Sequence, residues 1–344
     1  MAVNKTAFYN PRHCFRLSFF ASLLAFFVIV LGAYTRLTDA GLGCPDWPGC
    51  YGHLIVPNAI PPELGPSHSI HAAKAWTEMI HRYMAGLLGI TIFALAILAI
   101  RNRRFPEQPL LLPLTLGILV FLQALLGMWT VTLKLFPLVV MAHLLGGLTT
   151  LSLLWWLTLK LKPLEDPTIG IKKIGNLRLW AVIGLIIVII QLFLGGWTSA
   201  NYAALVCTDF PFCQSNVSIP LNFSKAFDVA SAGVVGSIGT PLDNTARVTI
   251  HMLHRIGALF TTLVIGWLAF LVFSRARSIL IRALAVTMAS LLTIQILLGI
   301  TNVLERLPLP IAIAHNAIAA LLLLALVTLN YYLHSKPRHK QYGQ

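Results

Sequence analysis

The apolar residues of this chain gather into blocks of about 20, separated by short basic or Pro-rich stretches, and that spacing constrains the fold more than any other feature. A block of that length crosses a hydrocarbon core of roughly 30 Å as a helix, with its backbone hydrogen bonds satisfied inside the segment. Membrane strands would run to about 10 residues with alternating polarity, so a barrel is excluded. Composition agrees: of 344 residues 57% are hydrophobic and 10% charged, and the mean hydropathy is +0.80, values that do not describe a soluble surface. A net charge of +14 invites a nucleic-acid partner, but the Lys and Arg residues fall in clusters between apolar blocks and not on one module. The fold class is all-α integral membrane, the surrounding medium is the lipid bilayer, and no nucleic-acid partner is expected.

Eight spans are expected, at about residues 17–35, 76–100, 109–131, 138–159, 179–198, 247–273, 279–301 and 310–333. An even number places both termini on one side. That side carries Lys5, Arg12, Arg16, Arg101, Arg103, Arg104, Lys160, Lys162, Lys172, Lys173, Arg178, Arg275, Arg277, Arg282, Lys336, Arg338 and Lys340, which is 17 of the 25 basic residues, so it is assigned to the cytoplasm. The first span follows a basic head and lacks a small-residue cleavage site before Arg36, which predicts a retained helix and not a removed signal. With no long Arg- and Ser-rich transit segment ahead of it, a multi-pass protein of a bacterial cytoplasmic (inner) membrane is expected.

The chain matches itself. Glu78-Met79-Ile80-His81-Arg82 aligns with His251-Met252-Leu253-His254-Arg255 about 172 residues on, Gln123 to Gly127 aligns with Gln295 to Gly299, and His143 with His315. Upstream, at an offset of 163, Gly32, Thr35, Cys44 and Cys50 align with Gly195, Thr198, Cys207 and Cys213. Two tandem four-helix bundles follow, and because each has an even number of spans they are expected to be related by a parallel pseudo-two-fold axis along the membrane normal. The expected organisation is a tail over 1–16, an N-terminal unit over 17–160, a linker over 161–178, a C-terminal unit over 179–333 and a tail over 334–344. Both tails and the linker are expected to be cytoplasmic.

His81, His143, His254 and His315 fall inside spans near the external ends, paired by the repeat at one depth. A lone intramembrane histidine is as readily a packing residue as a ligand; four in repeat-related pairs point to a bis-His haem site in each half, since neutral imidazole is the commonest protein ligand of haem iron. A small divalent ion would ordinarily want carboxylate or thiolate neighbours, and a proton relay is the other alternative. Arg82 and Arg255 each follow a histidine and are candidates to pair haem propionates, against snorkelling to the headgroups. Glu78 breaks the symmetry: it stands three residues before His81 where the second half has His251, so one site is expected to do chemistry and the other to carry electrons, against a simple ion pair with Lys74 or Arg82. Cys44 with Cys50 and Cys207 with Cys213 lie in repeat-related external loops, where structural disulfides are expected and redox-active pairs are the alternative. Cys14 is expected to be a free cytoplasmic thiol. Residues 214–246 are Ser- and Gly-rich and are expected to form a flexible external loop, with an Asn216-Val217-Ser218 sequon of no weight in a bacterium.

Together, Glu-x-x-His-Arg with a later His, its His-x-x-His-Arg counterpart, and the run from Thr35 to Cys50 (Thr-Arg-Leu-Thr-Asp-Ala-Gly-Leu-Gly-Cys-Pro-Asp-Trp-Pro-Gly-Cys) resemble the haem A synthase family over about residues 17–333. The resemblance implies two tandem four-helix bundles and oxidation of the C8 methyl group of haem O to a formyl group by successive hydroxylations, giving haem A for terminal oxidases. It also implies haem b as cofactor on His254 and His315, substrate haem facing His81 and His143, Glu78 as a catalytic carboxylate and two external disulfides. A haem O synthase and an electron donor are implied as partners. Two rivals are a membrane b-type cytochrome that passes electrons between quinone and a partner, and a transporter with parallel repeats.

Overall fold

The computed structural model describes residues 11–57, 71–105, 108–162, 175–213, 221–228 and 242–334. The tail before residue 11, the linker over 163–174, the tail after 334 and the Asn216 sequon lie outside them, as does most of the expected loop over 214–246.

Eight long helices carry the apolar blocks: α1 (Pro11–Leu37), α2 (Ala72–Arg101), α3 (Leu111–Thr132), α4 (Pro137–Leu161), α5 (Leu177–Ala200), α7 (Asn244–Arg275), α8 (Ile279–Leu304) and α9 (Leu309–His334). All eight are long and apolar enough to cross a membrane, which makes this a multi-pass membrane protein, and the described residues hold no strand beyond an isolated bridge between Cys50 and His53. The ends differ from the expected spans by a few residues; α1 extends furthest, beginning at Pro11 where about residue 17 was expected, and α3 begins later than expected, at Leu111. Inside the stretch expected to be loop, Phe223–Ala226 forms one short helix, α6, whose Asn222 side chain accepts the Lys225 N–H, and α7 already begins at Asn244.

Local signals set several boundaries. Pro137 occupies the first turn of α4, where its missing N–H costs nothing, and the Ser278 hydroxyl caps α8 by accepting the Leu280 N–H at 3.2 Å. The turns after α3 and α8 are less ordinary. Lys134 and Leu135 in one, and Arg306 and Leu307 in the other, all have φ between 49° and 66°, a conformation that side chains other than glycine adopt at a cost of roughly 1–2 kcal/mol each. Both turns close with the same bond, Leu135 N–H to Thr130 O at 2.7 Å and Leu307 N–H to Asn302 O at 2.8 Å.

The chain divides into two compact units, one formed by Met1–Lys162 with Asn222–Asp243, the other by Pro163–Leu221 with Asn244–Gln344. In the first, α1, α2, α3 and α4 form a closed ring in which each helix packs on the next and α4 returns to α1. Leu24, Ile92, Leu95, Leu154 and Leu157 fill its centre, and Ser22 and Thr158 join hydroxyls at 3.2 Å between α1 and α4. The second unit has the same cycle through α5, α7, α8 and α9. Here the Asn330 amide donates to Ala181 O at 3.0 Å, tying α9 to α5.

Candidate functional site

In a four-helix ring, alternate helices stand diagonally across the core, and the histidines occupy such a diagonal. His81 lies on α2 and His143 on α4; His254 lies on α7 and His315 on α9. The two histidines of each unit thus sit on non-adjacent helices of the same ring. Each ring also meets a glycine on a neighbouring helix. A Cβ added at Gly32 would stand 3.0 Å from His81 Cε1, at Gly127 3.4 Å from His143 Cε1, at Gly195 3.0 Å from His254 Cε1, and at Gly299 3.1 Å from His315 Cε1. Four different helices thus supply one glycine per histidine; an added Cβ would crowd His81, His254 and His315 by a few tenths of an ångström and would come to the edge of ordinary contact with His143.

These residues suit a flat macrocycle held between two imidazoles. The Nδ1 atoms of His81, His143 and His315 are buried without a hydrogen-bond partner, an arrangement that costs free energy unless a ligand or proton acceptor meets them. Among the described residues no three His, Cys, Asp or Glu side chains converge as a small metal ion would require. The diagonal pairs therefore fit a haem better than a bare ion.

Glu78 is 4% exposed and fully engaged: one oxygen accepts the Cys44 N–H at 2.9 Å and the other forms an ion pair with Arg82. Of the two alternative ion partners expected from sequence, Arg82 is the one found, yet the bond to Cys44 connects the carboxylate to the disulfide loop as well. His251, at the repeat-equivalent place, is also buried, and its Nδ1 lies 3.0 Å from Ala203 O, again in the loop of its own unit.

Cys44–Cys50 and Cys207–Cys213 are disulfides, with Cα atoms 4.8 Å apart in each. Cys14 is a free thiol, buried in α1. The first disulfide packs with Val56, Ala75 and Met79, so the loop lies directly on α2. Each disulfide loop contains a cis peptide bond, Trp47–Pro48 in one and Phe210–Pro211 in the other.

The arginines hold these loops. Arg82 Nη1 donates to the main-chain oxygens of Asp46 at 2.8 Å, Pro48 at 3.3 Å and Gly49. Arg255 Nη1 donates to Asp209 O at 2.7 Å, Pro211 O at 3.0 Å and Phe212 O at 3.4 Å, while its Nη2 reaches Cys207 O at 2.9 Å. Each guanidinium is the pin of a disulfide-closed lid, and a haem propionate would have to share donors already committed to these carbonyls. Sequence inspection missed this partner because a main-chain oxygen has no residue signature. The joint repetition of the Arg and the Cys-Cys loop was the available clue. Two further residues went unassigned: Gln191 Nε2 lies 3.0 Å from His254 Nδ1, and Gln295 Nε2 lies 3.1 Å from His315 Nε2.

Fold and site define a polytopic membrane protein that sets a diagonal histidine pair in each of two four-helix units, beneath a disulfide loop pinned by arginine. The chain belongs to the cytochrome oxidase assembly protein family, whose model matches residues 15–327. It is 46% identical over 314 residues to the haem A synthase of Shewanella oneidensis, a match covering 90% of this chain and 93% of that protein. It is also similar to the haem A synthases of Bacillus pumilus, at 26% identity with 87% and 88% covered, and of a Caulobacter species, at 26% with 90% and 93% covered.

Proposed function

We propose that this protein is a haem A synthase, an oxidoreductase acting on the C8 methyl group of haem O. The observation that carries the proposal is the Glu78 asymmetry inside the family's histidine pattern: two units with matching histidine pairs, only one of which has a buried carboxylate three residues before a ligand. In the proposed course dioxygen is the oxidant: in each of two hydroxylations one of its oxygen atoms enters a C–H bond of the same methyl carbon while the other leaves as water with two electrons from the donor and two protons, and the geminal diol then loses water to give the aldehyde. Side-chain acid–base chemistry alone does not oxidise a methyl group, so the haem b assigned to His254 and His315 supplies electron transfer when bound.

The protein's own residues do the rest. His81 and His143 hold the substrate haem across the diagonal of the first unit. Glu78, fixed by Cys44 N–H and Arg82, offers a negative charge beside His81 that stabilises positive charge developing at the oxidised carbon or accepts its proton. The arginine-pinned disulfide loop covers that end of the unit. The proposed setting is a bacterial inner membrane with both termini cytoplasmic and the disulfide loops external, and the proposed partners are a haem O synthase upstream and an electron donor.

The test is extraction and identification of haems from the purified protein. Haem B together with haem O or haem A is expected. Haem B alone would instead favour a b-type electron carrier, and no haem at all would favour a transporter. Reporter fusions after Arg104 and Arg178 are expected to read cytoplasmic, and those at Pro61 and Gly233 external; the inverse pattern would overturn the topology.

A further inference from the structure

Three helices carry the pattern Gln-x-x-x-Gly: Gln123 to Gly127 on α3, Gln191 to Gly195 on α5, and Gln295 to Gly299 on α8. In each the glycine is the one that meets a histidine, and the glutamine stands one turn away on the same face. Gln191 Nε2 is 3.0 Å from both His254 Nδ1 and the His254 carbonyl oxygen, and Gln295 Nε2 is 3.1 Å from His315 Nε2. Space is cleared for the amides too: a Cβ at Gly257, one turn beyond His254, would stand 2.3 Å from Gln191 Oε1, and one at Gly146, one turn beyond His143, would overlap the Gln123 amide. The Oε1 atoms of Gln191 and Gln295 are both buried without a hydrogen-bond partner.

An orphaned amide oxygen beside an imidazole has a place to go. An imidazole that gives one nitrogen's lone pair to a metal carries its proton on the other, and an amide turned over about its last bond presents an acceptor to that N–H. We propose that Gln191 and Gln295 are positioning residues for the axial histidines of the second unit, each engaging one ring nitrogen to fix the tautomer and the plane of the imidazole while the opposite glycine lets the ring lie against the helix. This rests on the assignment of haem b to His254 and His315. The first unit keeps only part of the device. Gln123 accompanies His143, but on α1 the residue one turn before Gly32 is Val28, so no glutamine accompanies His81.

The test uses the full-length protein purified with its resident haem. Gln191→Met and Gln295→Met keep side-chain length and remove the amide; Gln191→Glu and Gln295→Glu return an acceptor oxygen. Haem transfer to excess apomyoglobin is expected to become roughly 10- to 100-fold faster in the methionine variants, the range typical of lost partners to metal-bound histidine. Their low-spin EPR g values are expected to shift, a readout that simple loss of packing would not move, and the glutamate variants are expected to restore them. Gly195→Ala reaches the same ring independently, because its Cβ would stand 3.0 Å from His254 Cε1, and it too is expected to move the g values. Unchanged transfer rates and g values in both methionine variants would overturn the proposal, as would unchanged g values in Gly195→Ala if the methionine chains did not accumulate. His254→Ala and His315→Ala test the underlying assignment separately: full retention of low-spin haem in both would remove haem b from this unit whatever the glutamines did.

Discussion

His81 and His254 occupy the same place in their own units, each against a glycine of the preceding long helix and each followed by an arginine that pins a disulfide loop. Around His254 stand Gln191, which bonds the ring, and His251, which bonds the loop at Ala203. Around His81 the equivalent places hold Val28 and Glu78. The departures of the first unit thus converge on one histidine, which loses an amide partner and gains a carboxylate neighbour. A ring held by a hydrogen bond suits a haem that stays, whereas a ring without one, next to a negative charge, suits a porphyrin that is altered and released. On the proposed assignment, the contrast would let one scaffold, used twice, hold a cofactor in one unit and process a substrate of nearly the same shape in the other.

The sharpest way to break this contrast is Glu78→Gln. The amide retains volume and one acceptor for Cys44 N–H or Arg82 but removes the charge, and a single positioned carboxylate is worth roughly 10²- to 10⁴-fold in rate. Extracted haems are expected to show haem O or its hydroxylated form accumulating with haem B retained; wild-type haem A output would return Glu78 to an ion-pairing role alone.

A smaller effect separates the two lids. Arg82→Lys and Arg255→Lys each exchange a planar fork for a point charge and lose hydrogen bonds worth roughly 1.5–3 kcal/mol apiece. Both are expected to make their own disulfide loop more open to reductant and thiol label, but only Arg82→Lys is expected to lower haem A formation as well, because only Arg82 also holds Glu78, the carboxylate proposed to be catalytic. Equal loss of activity in the two variants would erase the distinction between the lids.

The mildest change would make the units more alike. Val28→Gln places an amide one turn from Gly32, and it is expected to slow release of substrate-derived haem from the purified protein by up to about tenfold, the lower end of what such a partner contributes. Release at the wild-type rate would mean that the absence of a glutamine beside His81 has no bearing on exchange.

Much of this architecture was legible in the amino-acid sequence because membrane insertion leaves coarse marks: apolar length specifies the helices, basic clusters mark their flanks, and duplicated histidines and cysteines stand out against an apolar background. What escaped has specific causes. The lids are held through backbone oxygens, which no residue type announces. Nothing in the sequence around Gly127 and Gly299 separates a histidine seat from ordinary helix packing, and Gln191 belongs to a pattern visible only after three copies are set beside three rings. The turns at Lys134-Leu135 and Arg306-Leu307 adopt left-handed backbone without the glycine or asparagine that would have signalled it.

Because Arg82 and Arg255 grip main-chain oxygens, most side chains in the two lids are under little obligation to the grip itself. Loop identity is free to drift so long as the path of the backbone between the paired cysteines persists. The two lids already illustrate such drift, with Trp47 in one and Phe210 in the other beside the same kind of peptide bond. A lid is in this sense a transplantable part, and exchanging Asp46–Gly49 with Asp209–Phe212 is a substitution the guanidinium would scarcely notice.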